Sequence, residues 1–146
     1  TIPPLEILEA AYPVMFTQWA LRPGSGGDGR YRGGLGAIYE IELVEDSAEV
    51  FIFGDRARSA PKGVAGGMPA ALNRFSYRND GRWHLPPMAS KMIGITLKRG
   101  DRIRMETPGG GGYGPASERS PQARERDAAL GYVAAPDEPP YRKFEP

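Results

Sequence analysis

The sequence predicts a mainly β fold: a single antiparallel β-sandwich or barrel-like domain with glycine-rich loops and short terminal helices. Runs in which apolar and polar residues alternate recur at 37–43, 48–53, 75–85, 92–97 and 102–107. Turn sequences separate them, among them Asn79-Asp80-Gly81 and Arg99-Gly100. Helix-starting signals occur only near the two ends of the chain. Short alternating strands joined by tight turns favour packed sheets over an α/β fold. With 146 residues, one domain can bury a core. That domain is expected over residues 1–134, followed by an extended proline-rich tail over 135–146.

The elements follow in order. Thr1 can cap a short helix, Pro3 or Pro4 suits its first turn, and Leu5, Leu8 and Tyr12 share a face until Pro13 stops it. Residues 14–21 read as a strand, and apolar side chains on both of its faces, Phe16 and Trp19 included, predict burial on both sides. Ala37, Tyr39, Ile41 and Leu43 alternate with Glu40 and Glu42, which is the pattern of a half-buried strand. Glu45-Asp46-Ser47 is expected to turn that strand back into 48–53. Phe75 and Tyr77, then Asn79-Asp80-Gly81, then Trp83 and Leu85 read as a shorter hairpin. Residues 92–97 and 102–107 read as a third hairpin about Arg99-Gly100, with Ile103 and Met105 inward. Ser120 caps and Pro121 opens a polar helix that ends near Gly131, so it is expected on the surface or against a partner. In the tail, Tyr141 and Phe144 lie among prolines and can anchor it to a neighbouring chain.

Two glycine blocks dominate what remains: Pro23 to Gly36, and Pro108-Gly109-Gly110-Gly111-Gly112-Tyr113-Gly114. Each contains a G-x-G-x-x-G spacing, at Gly24, Gly26 and Gly29 and at Gly109, Gly111 and Gly114. Dinucleotide binding needs a helix to begin at the third glycine. Here Gly29 runs into Arg30-Tyr31-Arg32 and Gly114 into Pro115, and neither block ends in the lysine of a phosphate-binding loop. The blocks therefore read as tight packing turns, as a nest of N–H groups for an anion, or as a place where a neighbouring subunit approaches closely. Arg30 and Arg32, two apart in an extended segment, point to the same side and read as a solvated face or an intersubunit salt bridge, or as a pair for a phosphate or carboxylate. Asp55 and Arg56 sit at a strand end, where an ion pair is commonly structural and where site loops also emerge. The ligand- or interface-lining candidates are thus Arg30, Arg32, Asp55, Arg56, Gly109, Gly110, Gly111, Gly112 and Tyr113.

Composition narrows the chemistry. The net charge is +1, which provides no field for a nucleic-acid partner. No apolar run has the length of a membrane span. Cysteine is absent, so there is no disulfide and no thiolate nucleophile, in keeping with a cytoplasmic protein. His84 is the single histidine and reads as a half-exposed strand residue beside Trp83. No catalytic residue and no metal ligand is assigned on this chain. A first residue of Thr1 fits either removal of a methionine or an excised piece.

Taken together, the block at 22–36, Gly54-Asp55-Arg56, Pro61-Lys62-Gly63-Val64-Ala65-Gly66-Gly67 and the stretch 97–114 resemble the C-terminal part of hydantoinase B proteins. That family includes ATP-dependent N-methylhydantoinases, 5-oxoprolinases, and the acetone and acetophenone carboxylases. The resemblance runs in order from about Ile2 to Gly131, and departs from the pattern at Met68-Pro69-Ala70-Ala71, where another glycine is usual. It implies a small subunit of a multi-subunit ATP-dependent carboxylase of the acetophenone type, inactive alone, contributing assembly and site-lining loops. A hydantoinase or 5-oxoprolinase amidohydrolase, or a purely structural module, is the alternative. No cofactor is implied on this chain; ATP and a divalent metal are expected on partner subunits. The implied partners are larger hydantoinase A-like and hydantoinase B-like subunits, with a small-molecule substrate at the level of the complex.

Overall fold

The computed structural model describes residues 3–133. Helix α1 (Leu5–Ala11) precedes strands β1 (Val14–Leu21), β2 (Ala37–Leu43), β3 (Ser47–Phe53), β4 (Arg74–Asn79), β5 (Arg82–His84), β6 (Lys91–Lys98) and β7 (Arg102–Glu106). A 3-10 turn (Ala116–Glu118) and helix α2 (Pro121–Ala129) follow. Five strands form one antiparallel sheet in the order β1-β2-β7-β4-β5, and β3 and β6 form a second, two-stranded sheet. Leu43 and Phe75 of the large sheet meet Ile95 and Leu97 of the small one, so the two sheets pack face to face. The fold is mainly β, as expected. The sheets form two open layers and do not close into a barrel.

Period-2 alternation decides which side chains enter the core. Ala48, Val50 and Ile52 of β3 and Met92 of β6 point inward onto Tyr77, Ile103 and Met105 of the large sheet. The same alternation gives the large sheet a second, charged face. Glu42 lies opposite Arg102, and Glu40 opposite Arg104. Glu106 lies between Ile38 on β2 and Arg74 on β4.

Four expectations need correction. β1 is an edge strand with alternating burial, and Met15, Trp19 and Leu21 are exposed on it. One side of this strand is half-buried and the other exposed, so apolar residues on both faces do not mark an interior position. The polar side of β2 is not solvated either: Glu40 is buried beneath its ion pairs. Glu45-Asp46-Ser47 does not return the chain as a hairpin, because β3 crosses to the second layer and pairs with β6. For the same reason 92–97 and 102–107 are not paired: β6 belongs to the small sheet and β7 lies between β2 and β4. Alternation reports which face is apolar, but not which neighbour a strand takes.

Other expectations hold. β4 and β5 form the hairpin across Asp80 and Gly81, both with positive φ (46° and 79°). The Ser120 hydroxyl accepts the Ala123 N–H at 3.3 Å, and Gly131 follows α2 with φ 67°. The Thr1 cap and the tail over 135–146 lie outside the described residues.

Candidate functional site

Antiparallel pairing brings the glycine loops together. β1 ends, β2 begins, β4 begins and β7 ends at one end of the large sheet, as the pairs Leu21 with Ala37 and Glu106 with Ile38 and Arg74 require. The loops 22–36, 54–73 and 107–115 therefore emerge side by side. There they interlock through their backbones. Gly27 N–H donates to the Gly110 carbonyl at 2.9 Å, and Gly110 N–H to that of Gly34 at 2.9 Å. Gly112 N–H donates to Met68 O and Val64 N–H to Gly112 O, each at 2.9 Å. Tyr31 and Tyr113 exchange two such bonds, at 3.0 and 2.9 Å.

The approach is closer than side chains permit. A Cβ placed on Gly33 would overlap the Gly110 carbonyl, one on Gly67 the Gly112 carbonyl, and one on Gly112 that of Asp28. This is the tight-packing use of glycine, between backbones of the same chain. In the run 109–112, the N–H groups of Gly110 and Gly112 point at backbone carbonyls; Gly109 and Gly112 are buried and Gly110 is exposed.

Arg22 fastens this end to the sheet. It is buried, and its Nη1 donates to the carbonyls of Leu72 (2.8 Å), Thr107 (3.0 Å) and Glu106 (3.3 Å). Arg30 and Arg32 both turn toward the C-terminal helical segment. Arg30 pairs with Glu118 at 3.6 Å and lies 5.6 Å from the centre of the Tyr31 ring. Arg32 pairs with Asp127 at 3.2 Å, with its guanidinium 5.1 Å from the centre of the Tyr132 ring. Asp127 also accepts from Arg119, and it is the one buried residue of α2. A polar helix is held here by a carboxylate, not by an apolar stripe. A cavity of about 310 Å³ lies beside it, lined by Asp28, Gly29, Ala116, Arg119, Arg124, Asp127 and Val133.

Asp55 and Arg56 are not part of that cluster. They line a different cavity of about 300 Å³ with Arg58, Met88, Ser90 and Lys91, and Asp55 pairs with Lys91 at 3.2 Å. The structure thus divides the candidates into Arg30, Arg32, Gly109–Gly112 and Tyr113 at the glycine mesh, and Asp55 with Arg56 at the end of β3. His84 is exposed and stacks on Tyr77 at 5.2 Å between ring centres.

The charged face is what sequence reasoning missed. Glu40 accepts from Thr17 Oγ1 (3.0 Å), Arg102 Nη1 (3.1 Å) and Arg104 Nη1 (3.2 Å). Arg104 also donates to Gln18 Oε1 at 2.7 Å. The hydrogen bond to Glu42 is the main cause that raises the Arg102 pKa above its ordinary value. Burial raises that of the Tyr39 phenol on the opposite face. The signal was in the sequence: Glu40 and Glu42 on one strand and Arg102 and Arg104 on another, each spaced by two. Among the described residues, no group of three or more His, Cys, Asp or Glu is placed to hold a metal ion. No described helix is long and apolar enough to cross a membrane.

The interlocking loops are the same segments whose sequences carry the resemblance, and the profile of hydantoinase B/oxoprolinase proteins matches residues 1–116. The chain belongs to the hydantoinase B/oxoprolinase family. A 5-oxoprolinase of Dictyostelium discoideum is 38% identical over 112 residues, which cover 75% of this chain and 8% of that protein. The caprolactamase subunit beta of Pseudomonas jessenii is 33% identical over 79% of this chain and 20% of that one. The crystal structure of ATP-dependent caprolactamase from that organism superposes with a TM-score of 0.78 at 28% identity, over 90% of this chain and 23% of that one. A nucleotide-free acetone carboxylase gives 0.72 at 26% identity, over 91% and 22%. The chain spans a fifth or less of the length of the first curated relatives it matches.

Proposed function

We propose that this family member is a small subunit of a multi-subunit, ATP-dependent carboxylase acting on a ketone of the acetone or acetophenone type, and that it has no activity alone. The observation that carries the reading is the fold together with its surface. The fold is similar to part of an acetone carboxylase chain, and large apolar side chains are exposed on both sheets. Such surfaces are rare on proteins that work singly. In this reading, larger hydantoinase A-like and hydantoinase B-like partners hold ATP and a divalent metal and carry out the chemistry in the cytoplasm. Phosphorylation of the enol oxygen of the ketone gives an enol phosphate. Transfer of its phosphoryl group to water releases inorganic phosphate and leaves an enolate, whose carbon attacks CO2 derived from bicarbonate by loss of water. The role of this chain is assembly, with Arg30, Arg32, Gly109–Gly112 and Tyr113 at an interface or lining the shared site.

A second reading keeps the complex and replaces carboxylation by ATP-dependent opening of a cyclic amide. The slightly higher superposition on caprolactamase favours it, 0.78 against 0.72. One experiment separates the two. The native assembly is isolated through this subunit and supplied with ATP, and bicarbonate fixation onto acetone or acetophenone is compared with hydrolysis of 5-oxoproline, a hydantoin and caprolactam. Fixation supports the first reading and ring opening the second. A solitary chain that turns over either substrate unaided overturns both.

A further inference from the structure

The cavity at the end of β3 carries an excess of positive charge. Three cations line it, Arg56, Arg58 and Lys91, against one carboxylate, Asp55. Asp55 is taken by Lys91 at 3.2 Å, while Arg56 and Arg58 enter none of the ion pairs among the described residues. The local surplus of two exceeds the net charge of the whole chain, which is +1.

The floor is rigid. Ser90 is buried, its hydroxyl donates to the Gly54 carbonyl at 2.9 Å, and Gly54 N–H donates to the Ser90 carbonyl at 2.7 Å. Arg56 stands above that floor with φ 66°, in the left-handed region. Three other non-glycine residues share that region, and each has a turn to account for it: Asp80 in the β4–β5 hairpin, Ala65 between Val64 and Gly67, and Ala89 between Met88 and Lys91. Arg56 has no such turn. Its carbonyl instead accepts the Asn73 N–H at 2.9 Å, which pins the strained residue at the cavity wall. Strain of this kind persists where the surroundings enforce it, and it collects at ligand clamps.

We propose that this cavity binds the oxyanion group of a small molecule, phosphate or carboxylate, through the guanidinium groups of Arg56 and Arg58. A guanidinium presents paired donors that match the paired oxygens of both groups. Met88 and Ala57 supply an apolar wall for a short body attached to the anion, and the Asp55–Lys91 pair forms the rim. The site does not depend on the carboxylase reading and survives its failure.

The test is calorimetric titration of the full chain at constant ionic strength, with inorganic phosphate in one arm and acetate in the other and chloride as the reference. Saturable binding is expected in at least one arm, and the stronger arm identifies the anion. Arg56→Gln and Arg58→Gln are each expected to weaken it about tenfold, and Lys98→Gln, on the exposed end of β6, to leave it unchanged. Arg56→Gly suits the left-handed backbone, so it loses affinity while the fold stays intact, which covers the case in which the glutamine variant misfolds. No saturable binding in either arm, or binding that survives the double Arg56→Gln/Arg58→Gln change, overturns the proposal.

Discussion

At single positions the glycine blocks behave very differently from one residue to the next. Gly33 and Gly112 face backbone carbonyls, so a methyl group there forces two chain segments apart. Gly34 has nothing within 4 Å of an added Cβ, and Gly110 has only ordinary contacts from 3.4 Å outward. Gly33→Ala and Gly112→Ala are therefore expected to destabilise by roughly 3 kcal/mol or to abolish folding, as overpacking does. Gly34→Ala is expected to be neutral or to stabilise by about 0.5 kcal/mol, because it removes freedom from the unfolded chain. Urea midpoints of the three alanine variants check this; equal losses at Gly33 and Gly34 would refute the mesh. Tyr39 offers a pH test. Burial raises its phenol above the ordinary 10.0, so the folded state keeps a proton that the unfolded state gives up first. Its contribution is level below that pH and is lost as pH climbs through the raised value. Tyr39→Phe is expected to show a smaller drop in unfolding midpoint between pH about 9 and about 11 than the parent protein.

Among elements, the large sheet depends on pairing that is half apolar and half ionic. Glu40 balances Arg102 and Arg104 at a buried position, and removing one partner of a buried ion pair leaves charge uncompensated. Glu40→Ala is expected to cost about 3 kcal/mol, and Glu40→Gln less, because the amide oxygen still accepts hydrogen bonds. Chemical denaturation of both variants gives the comparison, and an alanine no worse than glutamine would show the ionic face to be ornamental. The same sheet marks the limit of what was legible beforehand. The apolar sides of β2 and β7 follow from the alternation of Tyr39 with Ile41 and of Ile103 with Met105, and α2 from Ser120 and Pro121. Partner choice was not legible, because a short turn such as Glu45-Asp46-Ser47 serves a hairpin and a crossing between layers equally well. The mesh was visible only as composition. Which glycines touch is set by three loops distant in sequence, and so is the separation of Asp55 and Arg56 from Arg30 and Arg32.

Viewed whole, the molecule has a thin core and wide apolar surfaces. Among the described residues only six apolar side chains besides proline are buried: Ile38, Leu43, Ala70, Phe75, Ile95 and Leu97. Backbone interlocking at the glycine end supplies cohesion that side chains supply elsewhere, and it does so without covering the outer faces. On the small sheet, Phe51, Phe53 and Ile93 are 56%, 77% and 64% exposed on the side turned away from the core. Two open strand edges flank them, since among the described residues β3 and β6 pair with no other strand. A face of this kind invites association unless something covers it. If the carboxylase-subunit reading holds, the covering surface belongs to a larger hydantoinase B-like partner, and the patch is needed for assembly but not for folding. Phe51→Ser with Phe53→Ser removes two large exposed rings and touches none of the buried core, so its effect on unfolding should stay within about 0.5 kcal/mol. Co-purification of the large partners through the tagged subunit is expected to fall at least about tenfold, since buried aromatic anchors dominate interface energetics. A variant that folds normally and still recovers its partners in full would place the docking surface elsewhere, on the exposed Trp19 and Leu21 of the β1 edge.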